Sequence, residues 1–153
     1  MFSRQEASRV RQEFWTAFGL YMTPIPSADG ERVGWINYKT GEKHLHFRMD
    51  AGSTTATISI EMRHPDTGVR KLYLEQLHQL KKELEAHLGE TWIWQPEAED
   101  EQGKAFSRVY QQLPNVSVFR KEDWPALVSF FKPRIIALDA FWSEARYFFE
   151  ALR

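Results

Sequence analysis

His44, His46 and Glu61 are the residues whose types and spacing could do chemistry. The two histidines lie in a run, Lys43 to Asp50, in which Leu45, Phe47 and Met49 alternate with polar side chains. A period of two marks a half-buried strand, so both imidazoles project to one side, about 7 Å apart. A second alternating run, Thr55 to Arg63, places Ala56, Ile58, Ile60 and Met62 on one face and follows the turn residues Ala51-Gly52-Ser53-Thr54. With that turn centred between Gly52 and Ser53, Asp50 faces Thr55, His46 faces Ser59 and His44 faces Glu61. Two imidazoles and a carboxylate form a known metal-binding set. Glu61 would then be an oxygen ligand or the general base of a metal-dependent hydrolase.

A preceding run, Val33 to Tyr38, reads as a further strand joined through Lys39-Thr40-Gly41-Glu42. It would set Asn37 opposite His44 and Trp35 opposite His46. Trp35, Asn37, Arg48, Asp50, Ser59 and Arg63 thereby become ligand-binding candidates on the same polar face, with Trp35 for stacking and the arginines for anions. The plainer reading of this face is a solvated surface with cross-strand charge pairs, such as Glu42 with Arg63. No cofactor is expected; only the hydrolase alternative calls for a divalent metal.

The elements that must position this face follow from periodicity and breakers. Ser3 and Glu6 have capping-box spacing, and Val10, Phe14, Ala17, Phe18, Tyr21 and Met22 recur at helical intervals, which predicts a helix over 4–22. Thr23-Pro24-Ile25-Pro26 stops it. A second helix opens at Pro65-Asp66, buries a stripe from Val69 to Leu88 and ends at Gly89. Trp92 to Gln95 and Lys104 to Tyr110 form a second hairpin around the acidic loop, which reads as a solvated turn, and Val116 to Phe119 is a potential sixth strand. The last helix starts at Asp123 and Pro125 and should kink or divide near Lys132, before Pro133. Its apolar positions from Val128 to Leu152 step in a heptad-like seam. That seam either packs across the sheet or forms a homodimer interface. The fold expected is a single α+β domain over 1–153, with a mainly antiparallel sheet of five or six strands, three helices and the order αβββαββ(β)α.

Charge narrows the function classes. The chain of 153 residues has 20 basic and 21 acidic side chains, with segment balances of +1 over 1–50, −5 over 51–103 and +3 over 104–153. This is not the basic stripe of a protein that neutralises many phosphates, so nucleic acid is a weak partner prediction. Cysteine is absent, which removes thiol nucleophiles, disulfides and cysteine metal sites. No apolar run reaches the ~18 residues of a membrane span, and Met1 leads into Ser3-Arg4-Gln5-Glu6 rather than a signal peptide, so a cytoplasmic location away from membranes is expected. Phosphate-cradling glycine loops and the Gly-x-Ser-x-Gly elbow are also missing.

The order helix, three strands, helix, strand is similar to the core of restriction-endonuclease-like nucleases of the PD-(D/E)xK type. Those enzymes place Asp/Glu-x-Lys on the third strand, where this chain has Glu61-Met62-Arg63. Arginine keeps its proton and cannot act as the lysine would. Asp50 lies beside the turn, roughly 20 Å of strand from Glu61. A nuclease here would be divergent or inactive.

Asn37-Tyr38-Lys39-Thr40-Gly41, Phe47-Arg48-Met49-Asp50, Ile58-Ser59-Ile60-Glu61, Glu122-Asp123-Trp124-Pro125 and the run Phe130 to Asp139 resemble the bacterial family known as domain of unknown function 4268. The likeness covers essentially the whole chain. It implies no activity, cofactor or catalytic residue. Some members resemble the C-terminal part of longer proteins with a nuclease-like region, which implies a setting of DNA metabolism or defence; no such region is expected here. The expected function is a non-enzymatic binding or interaction module, with the metal-dependent hydrolase as alternative.

Overall fold

The computed structural model describes residues 2–153 as an α+β fold with four helices and a four-stranded antiparallel sheet. Helix α1 (Arg4–Met22) begins where Ser3 accepts the Glu6 amide, as the capping spacing predicts. Strands β1 (Leu45–Ala51) and β2 (Thr55–Met62) follow, then α2 (Thr67–Gln79), α3 (Lys81–Leu88), β3 (Ile93–Glu99), β4 (Ala105–Pro114) and α4 (Trp124–Ala145). The sheet order is β1-β2-β4-β3, so β1 and β3 are its edges.

This corrects the expectation of five or six strands and three helices. Val33 to Tyr38 is not a strand, because a turn at Ile36-Asn37 breaks it and its two large aromatics are tied elsewhere. The Trp35 indole donates to the Ile25 carbonyl (3.0 Å), and the Tyr38 hydroxyl donates to Asp139 of α4 (2.5 Å). Val116 to Phe119 is not a strand either. Asn115 adopts a left-handed φ of 59° and turns the chain under the hairpin end, where the Val116 and Val118 amides donate to Thr54 and Gly52. The second predicted helix is two. At Leu80 the amide bonds back to Leu77 in a tighter turn, and the change of direction lets Leu77 of α2 and Leu84 of α3 both reach the core. Gly89 ends α3 with φ 69°.

Helix α4 lies across the apolar sheet face. Leu127, Phe130, Phe131, Ile135, Leu138, Phe141, Trp142 and Ala145 are all buried, so the heptad-like stripe is used inside the chain. Pro133 does not divide the helix. It sits on the exposed side, where the carbonyl that loses its amide partner remains open to water. Phe14 and Phe18 of α1 pack on Phe131, and Ile58, Ile60 and Val109 fill the sheet side of the same core. The helix also pins the chain between α1 and β1. Asp139 accepts the Ala28 amide (2.7 Å) together with Tyr38, and the Trp142 indole donates to the Thr40 carbonyl (2.7 Å). Among the described residues no helix is long and apolar enough to cross a membrane.

The Asp139 tether generates a stability prediction. Asp139→Ala removes the acceptor of two bonds and should cost about 1–3 kcal/mol in urea unfolding, against about 1 kcal/mol for Tyr38→Phe. Burial, and then the bond to Asp139, push the Tyr38 hydroxyl above its ordinary 10.0. A raised folded value means the contribution is complete below pH about 10 and declines above it. Tyr38→Phe should abolish that part of the alkaline decline.

Candidate functional site

The sheet face turned away from the helices is a grid of polar side chains. The hairpin β1–β2 turns on Ser53-Thr54, with the Gly52 amide donating to the Thr55 carbonyl (2.9 Å). This is one residue later than expected and moves each pairing by two positions while preserving the face. His46 is therefore opposite Glu61, Arg48 opposite Ser59 and Asp50 opposite Thr57. Strand β4 continues the rows, setting Arg108 beside Glu61, Tyr110 beside Ser59 and Gln112 beside Thr57. Gln95 and Ile93 of β3 complete the rows through Arg108 and Tyr110.

Glu61 is the centre of the grid. Its side chain is only 8% exposed, and its oxygens are engaged by Arg48 Nε (3.1 Å), Arg63 Nε and Nη2 (both 2.9 Å) and the Ser59 hydroxyl (3.1 Å). A buried carboxylate persists when its lone pairs are satisfied and its charge is matched, and here two guanidiniums do both. Arg63 also donates through Nη1 to Asp100 (2.8 Å) and lies over the Phe106 ring at 3.9 Å. Asp100 is held below the ordinary carboxylate range, first by the Lys104 amide, with the Arg63 guanidinium and the Gln102 amide adding to it against burial.

Arg48 and Arg108 are placed differently from Arg63. Arg48 is 60% exposed and reaches Glu61 through Nε. Arg108 donates Nε to Gln95 (2.7 Å) and lies over the Tyr110 ring at 3.9 Å. The terminal nitrogens of both have no hydrogen-bond partner among the described residues. The two side chains rise from strands on either side of β2, one row apart, so their backbones are about 12 Å apart. They line a concavity of about 800 Å³ whose floor includes His46, Thr57, Ser59 and Glu61, and whose rim carries Asp50, Glu99, Glu101 and Lys104. Burial lowers His46 from its usual 6.5, Arg48, Arg63 and His44 push the same way, and Glu61 opposes them.

The remaining sequence candidates fall elsewhere. Trp35 is 3% exposed, on the core side of the fold, and Asn37 lies in the turn that borders the outer edge of β1. His44 sits one row beyond His46, its ring edge-on to His64 with centroids 4.4 Å apart, and Glu61 is opposite His46 instead. No group of three or more His, Asp or Glu side chains suited to a metal ion occurs among the described residues. The expected pair of Glu42 with Arg63 does not form. Glu42 is buried and meets Arg153 (2.9 Å), while Arg63 turns to Glu61 and Asp100. The helix, three strands, helix, strand order that carried the nuclease likeness is not met, since only β1 and β2 lie between α1 and α2. Arg108, Tyr110, Gln95 and Asp100 were not among the sequence candidates. Arg108 and Tyr110 lie in the predicted strand from Lys104 to Tyr110, but only the pairing of β4 with β2 sets them beside Glu61 and Ser59, and Gln95 of β3 and Asp100 of the loop arrive through β4 and Arg63.

The model of the family described as Domain of unknown function (DUF4268) matches residues 10–146, which span the entire grid. No curated protein and no solved structure matches the chain.

Glu61 and Arg48 should separate in a mutational test. Glu61→Gln leaves two guanidiniums without their counter-charge and should destabilise by about 1–3 kcal/mol, less than a fully buried pair because Arg48 is solvated. Arg48→Ala should cost under about 1 kcal/mol. Urea unfolding of the two variants beside the wild type checks the order.

Proposed function

We propose, for a chain that belongs to the family described as Domain of unknown function (DUF4268), that the open sheet face is a non-enzymatic binding site for a small anionic ligand held between Arg48 and Arg108. The observation that carries the reading is the pair of guanidiniums with free terminal nitrogens that line a polar concavity of about 800 Å³. Planar guanidiniums bind carboxylate, sulfate and phosphate groups through paired N–H donors. Each is already oriented, Arg48 by Glu61 and Arg108 by Gln95 and the Tyr110 ring, so little side-chain freedom is lost on binding.

The rim limits the size of the ligand. Asp50, Glu99 and Glu101 surround the concavity, and a long polyanion laid across the sheet would meet them. This favours a small anion over nucleic acid. The hydrolase alternative requires Glu61 to give an oxygen to a metal or to a reacting proton, and both its oxygens are engaged by Arg48, Arg63 and Ser59. Saturable Zn²⁺ or Mn²⁺ binding that His46→Ala abolishes would favour that alternative instead.

Sulfate is a suitable probe because its charge is constant between about pH 5 and 8, where histidine titrates. Saturable shifts of the Arg48 and Arg108 side-chain N–H signals are expected in nuclear magnetic resonance, and Arg108→Ala should weaken them by about tenfold or more. The neighbouring arginines lower the His46 midpoint, so an anion that offsets them should raise it. By linkage, sulfate must bind more tightly as pH falls through that midpoint. A response that is linear in sulfate and unchanged by Arg108→Ala overturns the reading.

A further inference from the structure

Helix α2 is anchored in the core by Tyr73 and Leu77, which turns Lys71, Leu74, Glu75 and His78 to its other side at intervals of three and four. Strand β3 borders that side. Trp94 is opposite the buried Val109 and so stands on the helix side of the sheet, whereas its neighbour Gln95 points to the polar face. Leu74 and Trp94 rest on the core without being enclosed by it, since each is only half-buried. Between them lies a cleft of about 660 Å³, whose walls also include Pro96 and Lys81, the first residue of α3.

The walls are held from behind. Ser107, which is buried, donates its hydroxyl to the Pro96 carbonyl (2.6 Å) where the pairing of β3 with β4 shifts register between Gln95 and Ala98. The His78 ring stands edge-on to the Trp94 ring, with 74° between their planes and 5.5 Å between centroids, so the two make an aromatic corner. The charges along the cleft are uneven. Glu75, the acid among its lining residues, lies one helical turn from Lys71 and offsets that charge. Lys81 is half-buried and forms no ion pair among the described residues. An ammonium partly withdrawn from water beside aromatic surface is completed by an anion that brings an apolar body with it.

We infer that this cleft binds a small aromatic carboxylate, with its ring system against Trp94 and its carboxylate at Lys81. The volume suits one such molecule. Two lysines against one glutamate select an anion over a cation, and Trp94, Leu74 and Pro96 select an apolar body over sulfate or phosphate alone. The edge of β3 beside the cleft is interrupted by Pro96 and by the register shift, which disfavours an added strand from a peptide or from a second copy of the chain. The cleft shares no lining residue with the concavity that holds Arg48 and Arg108, and it lies on the other side of the sheet. It therefore does not rest on the anion-binding reading of that face.

Naphthoate is the probe, with naphthalenemethanol as its uncharged counterpart. Titration of the whole chain at neutral pH should give saturable shifts of the Trp94 indole N–H and the His78 ring in nuclear magnetic resonance. Naphthalenemethanol should bind the unaltered chain about tenfold more weakly than naphthoate. Lys81→Gln should weaken naphthoate by about tenfold while leaving the circular dichroism and the binding of naphthalenemethanol unchanged. Arg108→Ala should alter neither, which separates the cleft from the polar sheet face. Shifts that stay linear in naphthoate, equal binding of the two compounds, or a naphthoate affinity indifferent to Lys81→Gln each overturn the inference. So does a Trp94 indole signal that moves with protein concentration alone, which would put a second copy of the chain in the cleft.

Discussion

Helix α4 buries its apolar side against one face of a four-stranded sheet, and the other features of the molecule follow from that contact. An antiparallel sheet can leave one face in water when the other is packed. Ile58, Ile60 and Val109, which are almost fully buried, supply the packed side, and Phe131, Ile135 and Leu138 of α4 meet it in the same core. Every even-numbered residue of β1 is thereby committed to the solvent side. The same helix uses two polar groups, Asp139 and the Trp142 indole, to hold the segment between α1 and β1 in place of a strand.

A second tether explains part of the motif Phe130 to Asp139 without invoking chemistry. Arg134 makes two bonds to Glu90 (2.7 and 3.0 Å), and Glu90 also accepts from the Trp92 indole and Gln111. Burial alone would raise the Glu90 carboxyl, but these donors, Arg134 foremost, hold it below the ordinary range. One carboxylate thus joins α4 to the start of β3 and to β4. Arg134 in this sequence is a fastener of helix to sheet, whereas Arg48 and Arg108 meet the solvent. Arginine at three positions does two different jobs because burial differs.

How much of this was legible in the sequence depends on the range of the interaction. The caps of α1 and α2, the end of α3 at Gly89, and the alternation of β1 and β2 are local, and each is written within a few residues. Val33 to Tyr38 misled the reading because its β-branched and aromatic residues before a turn suit a strand, while the groups that fix Trp35 and Tyr38, Ile25 and Asp139, lie outside that run. The break at Leu80 carries no glycine or proline and arises from packing on both sides of it. For the site, the shared face of His46, Arg48, Ser59 and Glu61 could be read because parity along a strand survives an error in turn position. The partners could not, because a shift of one residue in the turn moved Glu61 from His44 to His46.

The burial of Glu61 rests on two neighbours of opposite visibility. Arg63 lies two residues along the same strand, so its side chain had to share a face with Glu61 whatever the fold. Arg48 reaches it only because β1 and β2 pair in the register they do. Each of the three Arg63 nitrogens meets a carboxylate, of Glu61 or Asp100, and its guanidinium lies over the Phe106 ring. Arg48 gives one nitrogen to Glu61 and keeps the rest for solvent, and Arg108 divides itself in the same way between Gln95 and water. A surface that only needed neutral pairs would have matched each guanidinium to a carboxylate. This one leaves the outer nitrogens of two guanidiniums, Arg48 and Arg108, turned to solvent while their Nε atoms meet Glu61 and Gln95.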